Sequence, residues 1–160
     1  MSRLSEQLAF VPLLEPKDKT ASAYVSDAVD LSLYHSFTVI LLCGAITGDS
    51  VLTVYRDTTA ALATSLTTAV AFTYRLSAAA FKVTKADQLG AATAVASTGL
   101  TMTAATFNNK WIAIEFDCDI AGSTARFATI NLSSVGNPML VAAIGVGKSR
   151  YPGNLIPTAV

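Results

Sequence analysis

The chain has 160 residues, 52% of them hydrophobic and only 14% charged, with eleven basic and eleven acidic side chains and a net charge of zero. That length fits one domain with a real core. The composition excludes a disordered chain, which would be rich in charge, and a nucleic-acid binder, which carries a basic excess to neutralise phosphates. A membrane protein is also excluded: the strongest apolar run, Phe37–Cys43, is far short of the about 20 residues of a spanning helix, and there are too few alternating segments for a barrel.

Residues 1–19 read as an extended N-terminal arm. Pro12 and Pro16 bar a regular helix, while Leu8, Phe10, Val11, Leu13 and Leu14 are too apolar to stay in water. The arm is either an edge strand of its own domain or a reach onto a neighbour. Residues 20–148 read as a single β domain. It starts with two short strands around Ser26-Asp27. In His35–Cys43 both alternating sets become apolar, which predicts a strand buried on both sides. A turn at Gly44–Asp49 and a strand at Val51–Arg56 predict a hairpin. Asp57–Ala69 reads as a loop with one helical turn at most, because its threonines disfavour helix.

Val70, Phe72, Tyr74 and Leu76 alternate with small or polar residues, predicting one strand over Ala69–Leu76. A short extended piece is expected at Phe81–Val83. Leu89–Thr106 is low in large side chains; it reads as a second hairpin turning at Ser97-Thr98-Gly99, or as a surface loop. The clearest strand is Lys110–Asp117. Ile112, Ile114 and Phe116 form its core face, and Trp111, Glu115 and Asp117 lie on the other. Strands at Arg126–Leu132 and Met139–Val146 follow, then an irregular C-terminal tail over residues 149–160. Many short strands and no strong helix predict an all-β fold, an antiparallel β-sandwich or jelly roll with extended N- and C-terminal arms.

Chemistry is sparse. Gly145-Val146-Gly147-Lys148-Ser149 mimics the end of a phosphate loop, but Ala142 stands where the first glycine belongs and Pro152-Gly153 bars the helix that must follow. His35 near Asp27 or Asp30 lacks a nucleophile in an elbow context. One histidine and two lone cysteines do not make a zinc site. Glu115, Asp117 and Asp119 offer carboxylates without the remaining ligands of a calcium loop. The reading is therefore a protein that is not an enzyme and needs no cofactor or metal. Met1–Gln7 does not resemble a signal peptide, so a cytoplasmic origin with reduced Cys43 and Cys118 is expected.

No Asp, Glu, Lys or Arg occurs in residues 31–48, 58–74, 88–109 or 127–147. A neutral surface with such gaps promotes association, so much of it is expected to be covered by neighbours.

A set of segments carries a resemblance. They are the Pro-interrupted leader, AYVSDAV at 23–29, HSFTVILLCG at 35–44, AFTYR at 71–75, WIAIEFD at 111–117 and SRYPG at 149–153. Together they resemble small virion proteins of tailed bacteriophages, of the head decoration (cement) type. The resemblance implies a β-rich, commonly trimeric protein that clamps the major capsid protein on the outside of the virion. Both arms would then make the contacts, through Leu8, Phe10, Leu13 and Leu14 at one end and Tyr151, Leu155 and Ile156 at the other. Removing residues 1–14 is expected to leave the fold intact. Alternatives are a tail or head–tail connector component, and a carbohydrate-binding sandwich in which Trp111 stacks on a sugar and Asp117 or Asp119 binds hydroxyls.

Overall fold

Alternation decides which side chains meet. In a computed structural model, which describes residues 7–19, 22–60, 66, 68–118, 125–133 and 138–150, twelve strands form two antiparallel sheets packed as a sandwich. They are β1 (Ala9–Lys19), β2 (Tyr24–Val25), β3 (Val29–Asp30), β4 (Tyr34–Ile46), β5 (Ser50–Asp57) and β6 (Thr68–Val70). The second half supplies β7 (Phe72–Leu76), β8 (Thr93–Val95), β9 (Leu100–Met102), β10 (Trp111–Phe116), β11 (Phe127–Leu132) and β12 (Met139–Ser149). Sheet A has the order β1-β12-β4-β10-β7-β8. Sheet B runs β2-β11-β5-β6, with β3 also on β11 and β9 also on β5. The named helical elements among the described residues are a 3-10 turn at Leu31–Leu33 and the single turn α1 (Ala104–Phe107).

The core lies between the sheets. Sheet A contributes Phe37, Val39, Leu41, Ile112 and Ile114, and sheet B answers with Leu52, Val54, Ile130 and Leu132. All are essentially out of water, and each contributes about 1.5–3 kcal/mol by that burial. β10 holds an interior position, between β4 and β7.

Two glycines on the inner face of β12 make room for this core. A Cβ on Gly145 would stand 2.2 Å from Cζ of Phe37, and one on Gly147 would stand 2.3 Å from Cδ1 of Tyr34. Gly145–Ser149 is thus strand, flanked by β1 and β4, and its glycines are the floor under two rings tilted at 47° whose centroids are 4.9 Å apart. Arg150 pins the end of β12. Its backbone N–H donates to Leu33 O, Nε to Tyr34 O at 2.7 Å and Nη2 to Cys118 O at 2.6 Å.

The connections differ from the sequence reading. β4 and β5 are not a hairpin: both edges of β4 are taken, by β12 and β10, so β5 crosses to sheet B and pairs β11. The 69–76 strand is two strands that change sheets at Ala71, β6 on β5 and β7 on β10. The second hairpin also opens across the sandwich, with β8 on β7 and β9 on β5. The turn between them is where expected, with Gly99 at φ 93°. Phe81–Val83 lies in turns rather than an extended piece.

Residues 9–19 form the edge strand β1, paired with β12 from Ala9↔Gly147 to Lys19↔Met139 with register shifts between Pro12 and Leu14 and between Leu14 and Lys17. Deleting residues 1–14 would therefore strip Val11, Leu13 and Leu14 from the core.

Candidate functional site

Every strand of sheet A has a second face, turned away from the core. On β4 it carries Thr38, Ile40 and Leu42; on β12, Leu140, Ala142, Ile144 and Val146; on β1, Phe10 and Pro12. Register lines these up in rows. Pro12, Ile144, Ile40 and Ala113 cross four strands; Phe10, Val146 and Thr38 form the row beside it; Ala142, Leu42 and Trp111 form the row on its other flank. At the end of β12, Leu140 lies over Gly44, where a Cβ would meet its Cδ2 at 2.8 Å.

The sequence predicts β4 buried on both sides, but the described residues cover only one. Leu42 is 40% exposed, and Phe10 and Leu140 are nearly half exposed. Among the described residues the other exposed large apolar side chains, Phe81, Val83 and Leu89, belong to the loop of residues 77–90. That loop folds against the same face, because the Trp111 Nε1–H donates to Ala86 O at 2.8 Å. Lys82 and Lys85 hold left-handed backbone at φ 65° and 73°, a conformation that costs non-glycine residues about 1 kcal/mol or more each.

A second feature is a cleft of about 300 Å³ at one end of the sandwich, where the chain changes sheets at Ala71. Arg56, Phe72, Thr73, Glu115 and Asp117 line it. Arg56 Nη2 donates to Asp117 O at 2.7 Å, and Arg75 Nε lies 3.4 Å from Glu115 Oε1. The Glu115 carboxylate is thus accompanied by the Arg75 guanidinium, and the described lining of the cleft includes no His, Cys, Ser or Lys. Among the described residues no three His, Cys, Asp or Glu gather as metal ligands.

The sequence-predicted contact residues separate. Phe10 faces outward and Leu8 is half-buried, whereas Leu13 and Leu14 point into the chain's own core. Tyr151, Leu155 and Ile156 lie outside the described residues, as does Asp119. Trp111 is half-buried and its Nε1–H is engaged by Ala86 O. Asp30, once a possible partner for His35, accepts from Ser32 N and Oγ and lies 3.3 Å from Arg126 Nε.

Cys43 and Cys118 are both free and buried. They lie beyond opposite ends of the β4–β10 pairing, on the order of 25 Å apart at about 3.3 Å per residue. Burial pushes the Cys43 thiol up to about 12 and the Cys118 thiol up to about 11, so both are held as neutral, weakly nucleophilic groups.

The residues missed as a surface are Ile40, Leu42, Leu140, Ile144 and Val146. Their signal was present in strands apolar on both faces, but sequence does not say whether the second face is covered by the same chain. Compared with protein-family models, curated proteins and solved structures, the chain shows no match. The fold itself is plain: an all-β, two-sheet antiparallel sandwich.

Proposed function

We propose that this protein is a non-catalytic structural component of a tailed-phage virion, of the decoration type, which binds the major capsid protein and stabilises the lattice. The observation that carries the assembly part is the outer face of sheet A. An apolar sheet face flanked by a loop with further exposed apolar side chains is a surface for a protein partner. The virion part rests on the sequence resemblance. Self-association, as a trimer in proteins of that kind, belongs to the same reading. A head–tail or tail component is the nearest alternative, since it would use the same kind of surface. The engaged indole of Trp111 weighs against the carbohydrate-binding reading.

The test is co-sedimentation of the purified protein with isolated phage heads, compact and expanded. Saturable binding is expected, and a preference for expanded heads would place the protein late in maturation. Absence of binding to either form overturns the decoration reading.

A further inference from the structure

We infer that β1 is a shut edge: Pro12, Pro16 and the contacts from Tyr24 and Asp27 bar a further strand from joining sheet A. Copies of this protein therefore do not link through that edge. An outermost strand turns N–H and C=O groups to water, and such a row is a template for another chain. Among the described residues the other strands at the margins of the two sheets, β2, β3, β6, β8 and β9, are two or three residues long. β1 has eleven residues, which is length enough for a ladder.

The register shows which groups β1 turns outward. Cys43 N–H donates to Lys110 O at 2.8 Å. Bonding alternates along antiparallel strands, so the odd-numbered residues of β4 from Phe37 to Cys43 bond to β10 and the even-numbered ones to β12. On β12, Ala142, Ile144 and Val146 therefore face β4, which leaves Gly145 and Gly147 for β1. Val11 and Ala9 pair with these glycines. Phe10 and Pro12 thus turn their backbone to the free edge. A proline has no N–H. At this place Pro12 takes nothing from the β1–β12 ladder and removes a donor from the edge, which is where a sheet tolerates proline.

Beyond Pro12 the edge is occupied. Leu13 O accepts from Asp27 N–H at 3.3 Å, and Glu15 O accepts from the Tyr24 hydroxyl at 3.0 Å. Both donors come from the margin of sheet B, so the two sheets close on each other along this side. Pro16 is a second residue without a donor, and the two register shifts around Leu14 break the straight run a visiting strand needs. Lys17 Nζ lies 3.6 Å from Glu15 Oε1 and 5.7 Å from the centroid of the Tyr24 ring, and charge on an edge strand resists pairing. Phe10 keeps its outward N–H and C=O, but a ladder begun there stops at Pro12. Contacts with partners are left to faces and loops, in an assembly of any copy number, a trimer included. The inference does not depend on the virion reading.

The test restores the donors. Pro12 and Pro16 are both exposed. Pro12→Thr with Pro16→Thr returns N–H groups to β1 and should tighten self-association at least tenfold while circular dichroism stays native. Sedimentation of the full chain at micromolar concentration, beside wild type, reads it. Amide exchange should show Phe10 N–H fast and Val11 N–H slow in wild type, with Phe10 slowed in the variant. Adding Phe10→Pro puts a block back at an outward position and should return the mass to that of wild type. If the double variant does not fold, Pro12→Thr alone reads the same gain with a smaller shift. A folded variant of unchanged mass overturns the inference. So does association that survives Phe10→Pro, since the contact then lies elsewhere. A wild-type Phe10 N–H as protected as that of Val11 overturns it too, because the edge is then already paired.

Discussion

Thr129 on sheet B and Ile40 on sheet A hold equivalent places, each pointing away from the core from the middle of an interior strand. Thr129 is buried, and its hydroxyl donates to Ser26 O at 2.7 Å while lying 2.8 Å from Ser26 Oγ. Ser26 Oγ also accepts from Ile130 N. Nearby, Phe127 packs with Ala28, Tyr55 and Ala60. Sheet B therefore covers much of its own outer face, using the chain that connects its strands. Sheet A leaves Leu42 exposed and Ile40, Ile144 and Val146 only half-buried. A polar outer face that is covered internally needs no partner. An apolar one that is left bare is arranged for one.

The comparison can be broken at its foundations first. Gly145→Val should cost about 3 kcal/mol or more, because overpacking forces Phe37 out of its site; chemical denaturation reads it. Gly44→Ala, on the outer face of the same sheet, meets the Leu140 side chain at 2.8 Å from Cδ2 and 3.0 Å from Cβ, a milder clash that should cost about 1 kcal/mol. Equal losses would mean that the two faces are equally packed. On sheet B, Ser26→Ala leaves Ile130 N–H and Thr129 short of a partner in a buried place, at about 1–3 kcal/mol.

Titration sharpens the contrast between core and surface. Both thiols have folded values raised above the ordinary 9.0. The unfolded chain then loses protons first as the pH climbs. Their contribution is whole below about pH 9 and falls away between 9.0 and about 11 to 12, at up to about 1.4 kcal/mol per pH unit for Cys43. Cys43→Ala should flatten that part of the stability profile. The smallest effect is expected for Leu42→Gln in dilute protein: within about 0.5 kcal/mol of wild type, since it touches the bare face alone.

Much of this architecture was legible in the residues. The alternation of Trp111–Phe116, Tyr34–Ile46 and Met139–Ser149 marks strands whose inner sets are the observed core. What alternation does not encode is the sheet each strand joins. A turn such as Thr47-Gly48-Asp49 serves a hairpin or an arch across the sandwich equally well. The choice was made elsewhere, by β12 and β10 occupying both edges of β4. Ala71 is a change of sheet inside an unbroken pattern, so nothing local marks it. The short helix Ala104–Phe107 was missed because its one turn, in an Ala/Thr-rich stretch, is held by tertiary contact through buried Phe107. The interaction surface was misread for a related reason: two apolar faces say that a strand is to be covered, without saying by whom.

β12 has a consequence for the order in which this molecule can be made. It lies between β1 and β4, yet it is the last of the twelve strands to leave the ribosome. Until then β1 has no neighbour in its sheet, and β4 has an unoccupied edge. β1 must wait for β12, so sheet A closes only once β12 has been made. Pairings between distant parts of a chain are slow and leave strand edges exposed meanwhile. During that interval the slot between β1 and β4 fits the β12 of another nascent copy as well as its own, so dense synthesis would favour strand-exchanged pairs.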